Sequence, residues 1–138
     1  MFSIGTMSDR TGVKVPTIRY YEDMGLLALA ERTAGNQRRY DQAALDRLTF
    51  IRHARDLGFS IEAISELIAL GEHPDQPCAG ASRIARDQLA DVRARLARLQ
   101  RLEVELTRIV AGCSGDGTLD QCHVMAALAD HDHCVTEH

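Results

Sequence analysis

Residues 78–122, CAGASRIARDQLADVRARLARLQRLEVELTRIVAGCSGDGTLDQC, decide how this chain is organised. Between residues 81 and 112, apolar side chains recur at alternating steps of four and three, a spacing shared by Ala85, Leu89, Val92, Leu96, Leu99, Leu106 and Val110. One position of this seam, Glu103, is polar. The spacing is the a/d pattern of a coiled coil, so it predicts one long helix that pairs with a partner helix.

Cysteines stand at both ends of this helix. Cys78 precedes it, Cys113 follows it, and Cys122 comes after a short loop that contains glycines. A helix over residues 81–112 is roughly 48 Å long at ~1.5 Å per residue, so Cys78 and Cys113 of one chain cannot meet. Antiparallel pairing of two copies instead brings each Cys78 beside Cys113 of the other copy. The pattern therefore predicts a site for a soft metal ion that exists only in a dimer.

The bulk composition is that of a folded, water-soluble chain. Its 138 residues are 45% apolar and 26% charged, which fits one modest domain or a small domain with a dimerisation element. No apolar run is long enough to span a membrane, and the opening residues MFSIGTMSDR contain no apolar signal core. We therefore expect a cytoplasmic protein. In that reducing compartment its four cysteines are metal ligands or free thiols rather than disulfides.

Charge is distributed unevenly along the chain. Residues 1–60 have a net charge of +2, whereas residues 61–138 have a net charge of −6. A basic front and an acidic rear indicate a nucleic-acid-binding head on a body that does not bind nucleic acid.

The front of the chain contains two short helices joined by a glycine turn. Residues 3–11 form the first helix with Ser3 as its N-cap, Gly12 ends it, and Pro16 begins a second helix over residues 16–24. This is the helix-turn-helix pattern. We expect residues 26–40 to form a small β wing. A helix over 42–57 follows, with its apolar side chains inward: Ala44, Leu45, Leu48, Ile51 and Leu57.

The expected fold is all-α with a small β wing. It divides into a winged helix-turn-helix head (1–71), a hinge (72–80), the dimerisation helix (81–112), and a metal-binding loop with a short helix over 119–129 and a tail (113–138).

Several motifs are specific to one family. The chain contains IRYYEDMGLL at 18–27, Arg38-Arg39-Tyr40, RLTFIRHARDLGFSIEAISELIAL at 47–70, and a helix bracketed by Cys78 and Cys113. In these it resembles the MerR family of transcription regulators over nearly its whole length. The resemblance implies a winged-helix head, an antiparallel coiled-coil dimer and an effector site at the ends of the coil.

The resemblance also narrows the effector. Sensors of divalent ions in this family have Cys at the position of Cys78, whereas sensors of monovalent copper have Ser. Many zinc sensors have two adjacent cysteines where Gly112-Cys113 stands here, and His at the position of Gly117. Because this chain lacks those residues, we expect one ion rather than a two-zinc site.

The predicted metal ligands are Cys113 and Cys122 of one chain with Cys78 of its partner. Three thiolates suit Zn²⁺, Cd²⁺, Pb²⁺ or Hg²⁺, and a fourth nitrogen or oxygen ligand favours Zn²⁺ or Cd²⁺ over the other two. A second site or a capture arm is a further hypothesis. Its candidate ligands lie at the C-terminal end of the chain: His123, His131, His133, Cys134 and His138.

The predicted DNA-binding surface is centred on the helix over residues 16–24, which would enter the major groove. Thr17 and Arg19 are candidates to reach base edges. The candidates for phosphate contacts, which set register but not sequence, are Lys14, Tyr20, Arg38, Arg39 and Tyr40. Arg32, Arg52 and Arg55 would extend this surface, and Tyr21 belongs to the core.

The leading hypothesis is a homodimeric, metal-responsive regulator that is not an enzyme. It would bind a promoter with an inverted repeat, distort that DNA when the metal binds, and act on RNA polymerase indirectly through the promoter of a resistance or efflux gene. Other hypotheses remain open. They are a MerR-type sensor of copper, redox state or a small organic molecule, a metal buffer without a DNA role, and an enzyme with a reactive thiol.

Overall fold

The computed structural model describes residues 1–130 and divides the chain into two compact units, Met1–Ala85 and a second that begins at Arg86. The elements follow in the order β1 (Phe2–Ser3), α1 (Ile4–Thr11), α2 (Val15–Asp23), β2 (Glu31–Arg32), β3 (Arg38–Tyr40), α3 (Gln42–Asp56), α4 (Ile61–Gly71), α5 (Ala79–Ala111), a 3₁₀ turn (Leu119–Gln121) and α6 (His123–Ala129). The expected fold, mostly helical with a small β wing, is confirmed.

Local caps set the ends of α1 and α2. The Ser3 hydroxyl accepts a hydrogen bond from the Thr6 backbone N–H at 3.1 Å, which satisfies one of the free donors at the start of α1. Gly12 ends α1 with φ +75°, a left-handed conformation that costs glycine little. Pro16 lies in the first turn of α2, where its missing N–H has no acceptor to lose. The predicted helix-turn-helix is confirmed.

The wing is a three-stranded antiparallel sheet in the order β1-β3-β2. The tip of the β2–β3 hairpin turns at Asn36, which has φ +64°, and the backbone N–H of Thr33 donates to Gln37 at 2.8 Å across the turn. Asparagine tolerates this conformation better than most side chains do. Sequence reasoning missed β1, because a two-residue strand has too few positions to show an alternation of polarity.

The core of the first unit is built by α1, α2, α3 and α4 against the wing. Its fully buried members are Tyr40, Met7, Ile18, Leu48, Ile51 and Ile64. Tyr21 also lies in this core, as expected. The prediction for Leu57 was wrong: α3 ends at Asp56, and the side chain of Leu57, in the cap position, is 58% exposed.

The long helix α5 is one uninterrupted element of 33 residues, as the heptad spacing predicted. Its large seam residues Leu89, Val92, Leu96, Leu99, Leu106 and Val110 are between 43 and 67% exposed in the single chain. The second unit has a small interior, which includes Ile109 and Ala127.

The segment after α5 differs from the prediction of one helix over 119–129. A 3₁₀ turn comes first, Cys122 is extended with φ −75° and ψ 124°, and only then does α6 begin. The apolar side chains of Leu119, Met125 and Leu128 are exposed in the single chain. No helix within residues 1–130 is both long and apolar enough to cross a membrane.

Candidate functional site

Two thiols meet in the loop between α5 and α6. The Sγ atoms of Cys113 and Cys122 lie 3.8 Å apart, and both side chains are partly buried. Backbone turns bring them together: the N–H of Cys113 donates to the carbonyl of Val110 at 3.1 Å, and the N–H of Cys122 donates to that of Leu119 at 3.3 Å. The structure thus brings together two of the three predicted metal ligands.

A cavity of about 410 Å³ contains this thiol pair. Small and polar residues form most of its wall, which consists of Gly112, Cys113, Ser114, Gly115, Gly117, Thr118, Leu119, Gln121, Cys122 and His123. A Cβ atom added to Gly115 or Gly117 would meet nothing within 4 Å, so this part of the loop faces open space. The cavity is therefore open to an ion from solvent.

The first turn of α6 favours the ionised form of Cys122. Mainly the backbone N–H of Met125, and then that of Val124 and the thiol of Cys113, lower the pKa of Cys122, while partial burial acts in the opposite direction. Since the thiolate is the form of cysteine that binds metal ions, this turn favours the form of the Cys122 side chain that such binding needs. Sequence reasoning missed this effect, because it depends on the break between the 3₁₀ turn and α6.

His123 packs on Gly112. A Cβ atom added to Gly112 would lie 2.7 Å from both Cγ and Nε2 of the His123 ring, far inside van der Waals contact. The ring therefore occupies the space that a side chain at position 112 would need. This packing accounts in physical terms for glycine at a position where a second cysteine was considered.

Residues 1–130 of a single chain contain no cluster of three or more metal-binding side chains. Cys113 and Cys122 converge in the second unit. Cys78 is exposed and belongs to the first unit, where it directly precedes the start of α5. Thiolates are the ligands that soft metal ions prefer, so the two cysteines suit such an ion. A third thiolate ligand would have to come from a cysteine outside this pair. The other predicted candidates, His131, His133, Cys134 and His138, lie outside the described residues.

The exposed face of α2 carries most of the predicted nucleic-acid contacts. Lys14 is the N-cap residue and Thr17 lies in the first turn, while Arg19 and Tyr20 are exposed further along the helix. Ile18 lies on the opposite, buried face. The helix therefore presents two cationic side chains, a hydroxyl and a phenol to solvent.

Of the residues predicted to contact phosphate from the wing, Arg38 has an internal ion pair and Tyr40 was predicted wrongly. Arg38 forms an ion pair with Glu22, with Nε and Oε2 2.7 Å apart, and that hydrogen bond raises the pKa of Arg38. Tyr40, predicted to contact phosphate, is fully buried, so it is a core residue and not a surface contact. Burial raises the pKa of Tyr40, and the carboxylate of Glu22 raises it further.

The arginines expected to extend the surface are exposed and also make structural contacts. Arg52 donates to the carbonyl of Thr11 at 2.7 Å, Arg55 to that of Phe59 at 2.9 Å, and Arg32 to that of Asn36 at 3.2 Å. Each satisfies a backbone acceptor at the end of a helix or in a turn. Their spacing in the sequence does not distinguish such contacts from a DNA-binding surface.

Comparison with known proteins identifies consistent relatives. Residues 2–70 match the family described as "MerR HTH family regulatory protein", and residues 45–109 match the one described as "MerR, DNA binding". The HTH-type transcriptional regulator ZntR of Escherichia coli strain K12 is 38% identical over 130 residues, which cover 93% of this chain and 92% of that protein.

Two further relatives have names that mention metals. The mercuric resistance operon regulatory protein of Pseudomonas fluorescens is 38% identical over 128 residues, 91% of this chain and 86% of that protein. The crystal structure of the transcription regulator PbrR691 from Ralstonia metallidurans CH34 in complex with lead(II) superposes with a TM-score of 0.79 at 32% identity. It covers 93% of this chain and 99% of that one.

Proposed function

This chain belongs to the MerR family of DNA-binding transcription regulators, and on that premise we propose that it is a homodimeric sensor of a divalent soft metal ion. It is a regulator and not an enzyme. In the proposed function it works in the cytoplasm on the promoter of a metal-resistance or efflux gene. The observation that carries the proposal is the pair of thiols, Cys113 and Cys122, held 3.8 Å apart.

The proposed ligand set adds Cys78 of the partner chain to this pair. Three thiolates suit Zn²⁺, Cd²⁺, Pb²⁺ and Hg²⁺. The relative solved in complex with lead(II) and the mercuric resistance regulator support an ion of this class. The thiolates of Cys113 and Cys122 would bind the ion in one chain. The thiolate of Cys78 from the partner chain would bind the same ion, which would thereby link the two chains.

The exposed seam of α5 supports the dimer. An apolar groove of about 650 Å³ lies along its C-terminal part, lined by Leu99, Leu102, Glu103, Leu106, Thr107, Val110 and Ala111. Leaving large apolar side chains such as Leu99 and Val110 in water is unfavourable by roughly 25 cal/mol per Å². A second α5, packed antiparallel, covers this seam, and its own Cys78 then lies near Cys113 of the first chain.

The head supports recognition of double-stranded promoter DNA. We assign Thr17 and Arg19 of α2 to base edges in the major groove, and the phosphate contacts to Lys14, Tyr20, Arg38 and Arg39. A dimer with twofold symmetry requires an operator with an inverted repeat. Tyr40 is not among the proposed contacts, because it is buried.

Regulation requires two conformations of the DNA-bound dimer. The activating conformation must bind the metal ion more tightly than the repressing one, or the ion shifts nothing. To change the ratio of activating to repressing conformation from 1:99 to 99:1, the ion must bind the activating conformation about 10⁴-fold more tightly, a difference of ~5.5 kcal/mol. RNA polymerase responds to the changed shape of the promoter and needs no contact with this chain.

Metal sensing is tested with the reduced protein and Cd²⁺, Pb²⁺ or Hg²⁺. We expect an ultraviolet thiolate-to-metal charge-transfer band and induction of a reporter fused to the chain's own promoter. Cys78→Ser should abolish induction and spare DNA binding. If no band develops with any of these ions, the metal hypothesis falls and a sensor of another effector takes its place. If induction persists in Cys78→Ser, the site between subunits is wrong.

DNA binding is tested on the same promoter by gel shift. Lys14→Ala should weaken binding to all DNA sequences and reduce the slope of log affinity against log salt concentration by about one. Arg19→Ala should also weaken the preference for the promoter sequence over other DNA. Arg93→Ala, which removes an exposed charge from α5, is the matched control and should change neither. A wild-type chain that does not shift its promoter would favour a metal buffer.

A further inference from the structure

The two thiols of the α5–α6 loop are close enough to react with each other. A disulfide requires the sulfur atoms to lie about 2.05 Å apart, so each Sγ has to move by about 0.9 Å from the present separation. The pair is held at 3.8 Å by the backbone turns around it. The fold has therefore already met most of the entropic cost of closing this loop.

The surroundings permit that movement. Gly115 has φ +80°, a conformation that glycine adopts easily. A Cβ atom added to Gly115 or Gly117 would have no atom within 4 Å, so the backbone between the cysteines can move into open space. The thiols lie in the wall of a cavity of about 410 Å³, which gives a small reagent access. No other cysteine within residues 1–130 lines this cavity.

We propose that Cys113 and Cys122 form an intrachain disulfide by exchange with a low-molecular-weight disulfide, and that this bond closes the metal site to ions. The covalent step stands on the geometry of the pair. Its consequence for sensing rests on the function proposed above, because it removes two of the three thiolates assigned to the ion. The chain would then respond to metal only while this pair is reduced.

The exchange takes place in two balanced steps. The thiolate of one cysteine attacks a sulfur of the small disulfide, whose S–S bond breaks and releases one thiolate, leaving a mixed disulfide on the protein. The second cysteine loses its proton and attacks the protein sulfur of that mixed disulfide, which expels the second small thiolate. The two protein thiols lose two protons and two electrons, and the small disulfide is reduced to two thiols.

The covalent step is tested on the full-length protein with oxidised glutathione. We expect the thiols of Cys113 and Cys122 to disappear with the loss of two hydrogen atoms, and neither of these two cysteines to retain a glutathione. Free thiols are alkylated, and the chain is cut before Asp116 and Asp120, between the two cysteines. A peptide pair joined through Cys113 and Cys122 supports the inference. Four remaining thiols, a glutathione retained on Cys113 or Cys122, or a bond from either of them to Cys78 or Cys134 overturns it.

Serine variants serve as controls for this reaction. Cys78→Ser should form the same bond at the same glutathione ratio as the wild type. Cys113→Ser should instead accumulate one glutathione on Cys122, because the thiol that resolves the mixed disulfide is missing. If Cys113→Ser and the wild type give the same product, the inference fails.

The consequence for sensing is read from Cd²⁺ titrations before oxidation, after oxidation and after reduction. The charge-transfer band should be present before oxidation, absent from the oxidised protein, and present again after reduction. The gel shift on promoter DNA should be the same in all three samples. A disulfide that leaves the band intact overturns the inference. A reduced protein without any band overturns the proposed metal function, and the peptide map then still decides the covalent step.

Discussion

Gly112→Ala tests whether the packing of His123 positions the thiol pair. The added Cβ would lie 2.7 Å from Cγ and Nε2 of the His123 ring, whereas ordinary contacts begin at 3.4 Å, so the ring must retreat by about 0.7 Å or more. Because Cys122 directly precedes His123, that retreat should move Cys122 away from Cys113. Binding a metal ion then has to reverse the displacement.

The size of the effect follows from the cost of overpacking. An extra methyl group in a filled site costs roughly 1–3 kcal/mol, which corresponds to a loss of affinity of about 5- to 150-fold. We expect a loss in this range for Cd²⁺, measured from the charge-transfer band in competition with a chelator. The double variant Gly112→Ala/His123→Ala removes the obstructing ring and should recover affinity, whereas His123→Ala alone should bind Cd²⁺ nearly as the wild type does.

Gly117→Ala is the matched control, since its added Cβ would meet nothing within 4 Å. We expect its Cd²⁺ affinity to remain within about twofold of the wild type, as for an ordinary surface substitution. The reasoning is refuted if Gly112→Ala binds as tightly as Gly117→Ala, or if removal of the His123 ring does not restore affinity to the Gly112→Ala protein.

Two further substitutions test the core and the dimer seam. Tyr40→Phe removes a buried hydroxyl that has no hydrogen-bond partner among residues 1–130. Urea unfolding should therefore show a free energy of unfolding raised by up to about 1 kcal/mol, and a decrease of about 1 kcal/mol would contradict this reasoning. Because the pKa of Tyr40 is raised, wild-type stability should fall as pH rises above about 10, and Tyr40→Phe should lack that part of the fall. Leu99→Asp should weaken dimerisation by at least about tenfold in light scattering, while Gln100→Asp, outside the seam, should not; equal effects would exclude this seam.

Regular periodicity and end signals made much of the fold predictable. The heptad spacing predicted one helix across residues 81–112, and α5 runs over Ala79–Ala111. Ser3, Gly12 and Pro16 act at the helix ends because capping depends on neighbouring residues only.

The errors come from contacts between residues distant in sequence and from short elements. Tyr40 directly follows Arg38 and Arg39, which suggested a surface contact, but β3 pairs it with Phe2 and its side chain is buried in the core. The ion pair of Arg38 with Glu22 at 2.7 Å was not predicted, because no local signal separates Arg38 from Arg39 beside it. Leu57 continued the helical spacing but lies one residue beyond the end of α3.

The thiol pair was predictable in its residues but not in the shape of the loop around it. Cys113 and Cys122 were identified from their positions after the long helix and from thiol chemistry, and the structure brings them together. The contact of His123 with Gly112 and the break at Cys122 depend on how the loop closes. That closure is a property of the folded loop and not of any one residue in it.

A mixed dimer tests the central claim, that each metal site takes Cys78 from one chain and Cys113 with Cys122 from the other. One chain has Cys78→Ser, and the other has Cys113→Ser with Cys122→Ser; neither homodimer has a complete site in any arrangement. If the site is shared between chains, the purified heterodimer should bind one Cd²⁺ per dimer with wild-type affinity and a wild-type charge-transfer band. If all three ligands belonged to one chain, the heterodimer would bind no better than either homodimer, and that result would contradict the claim.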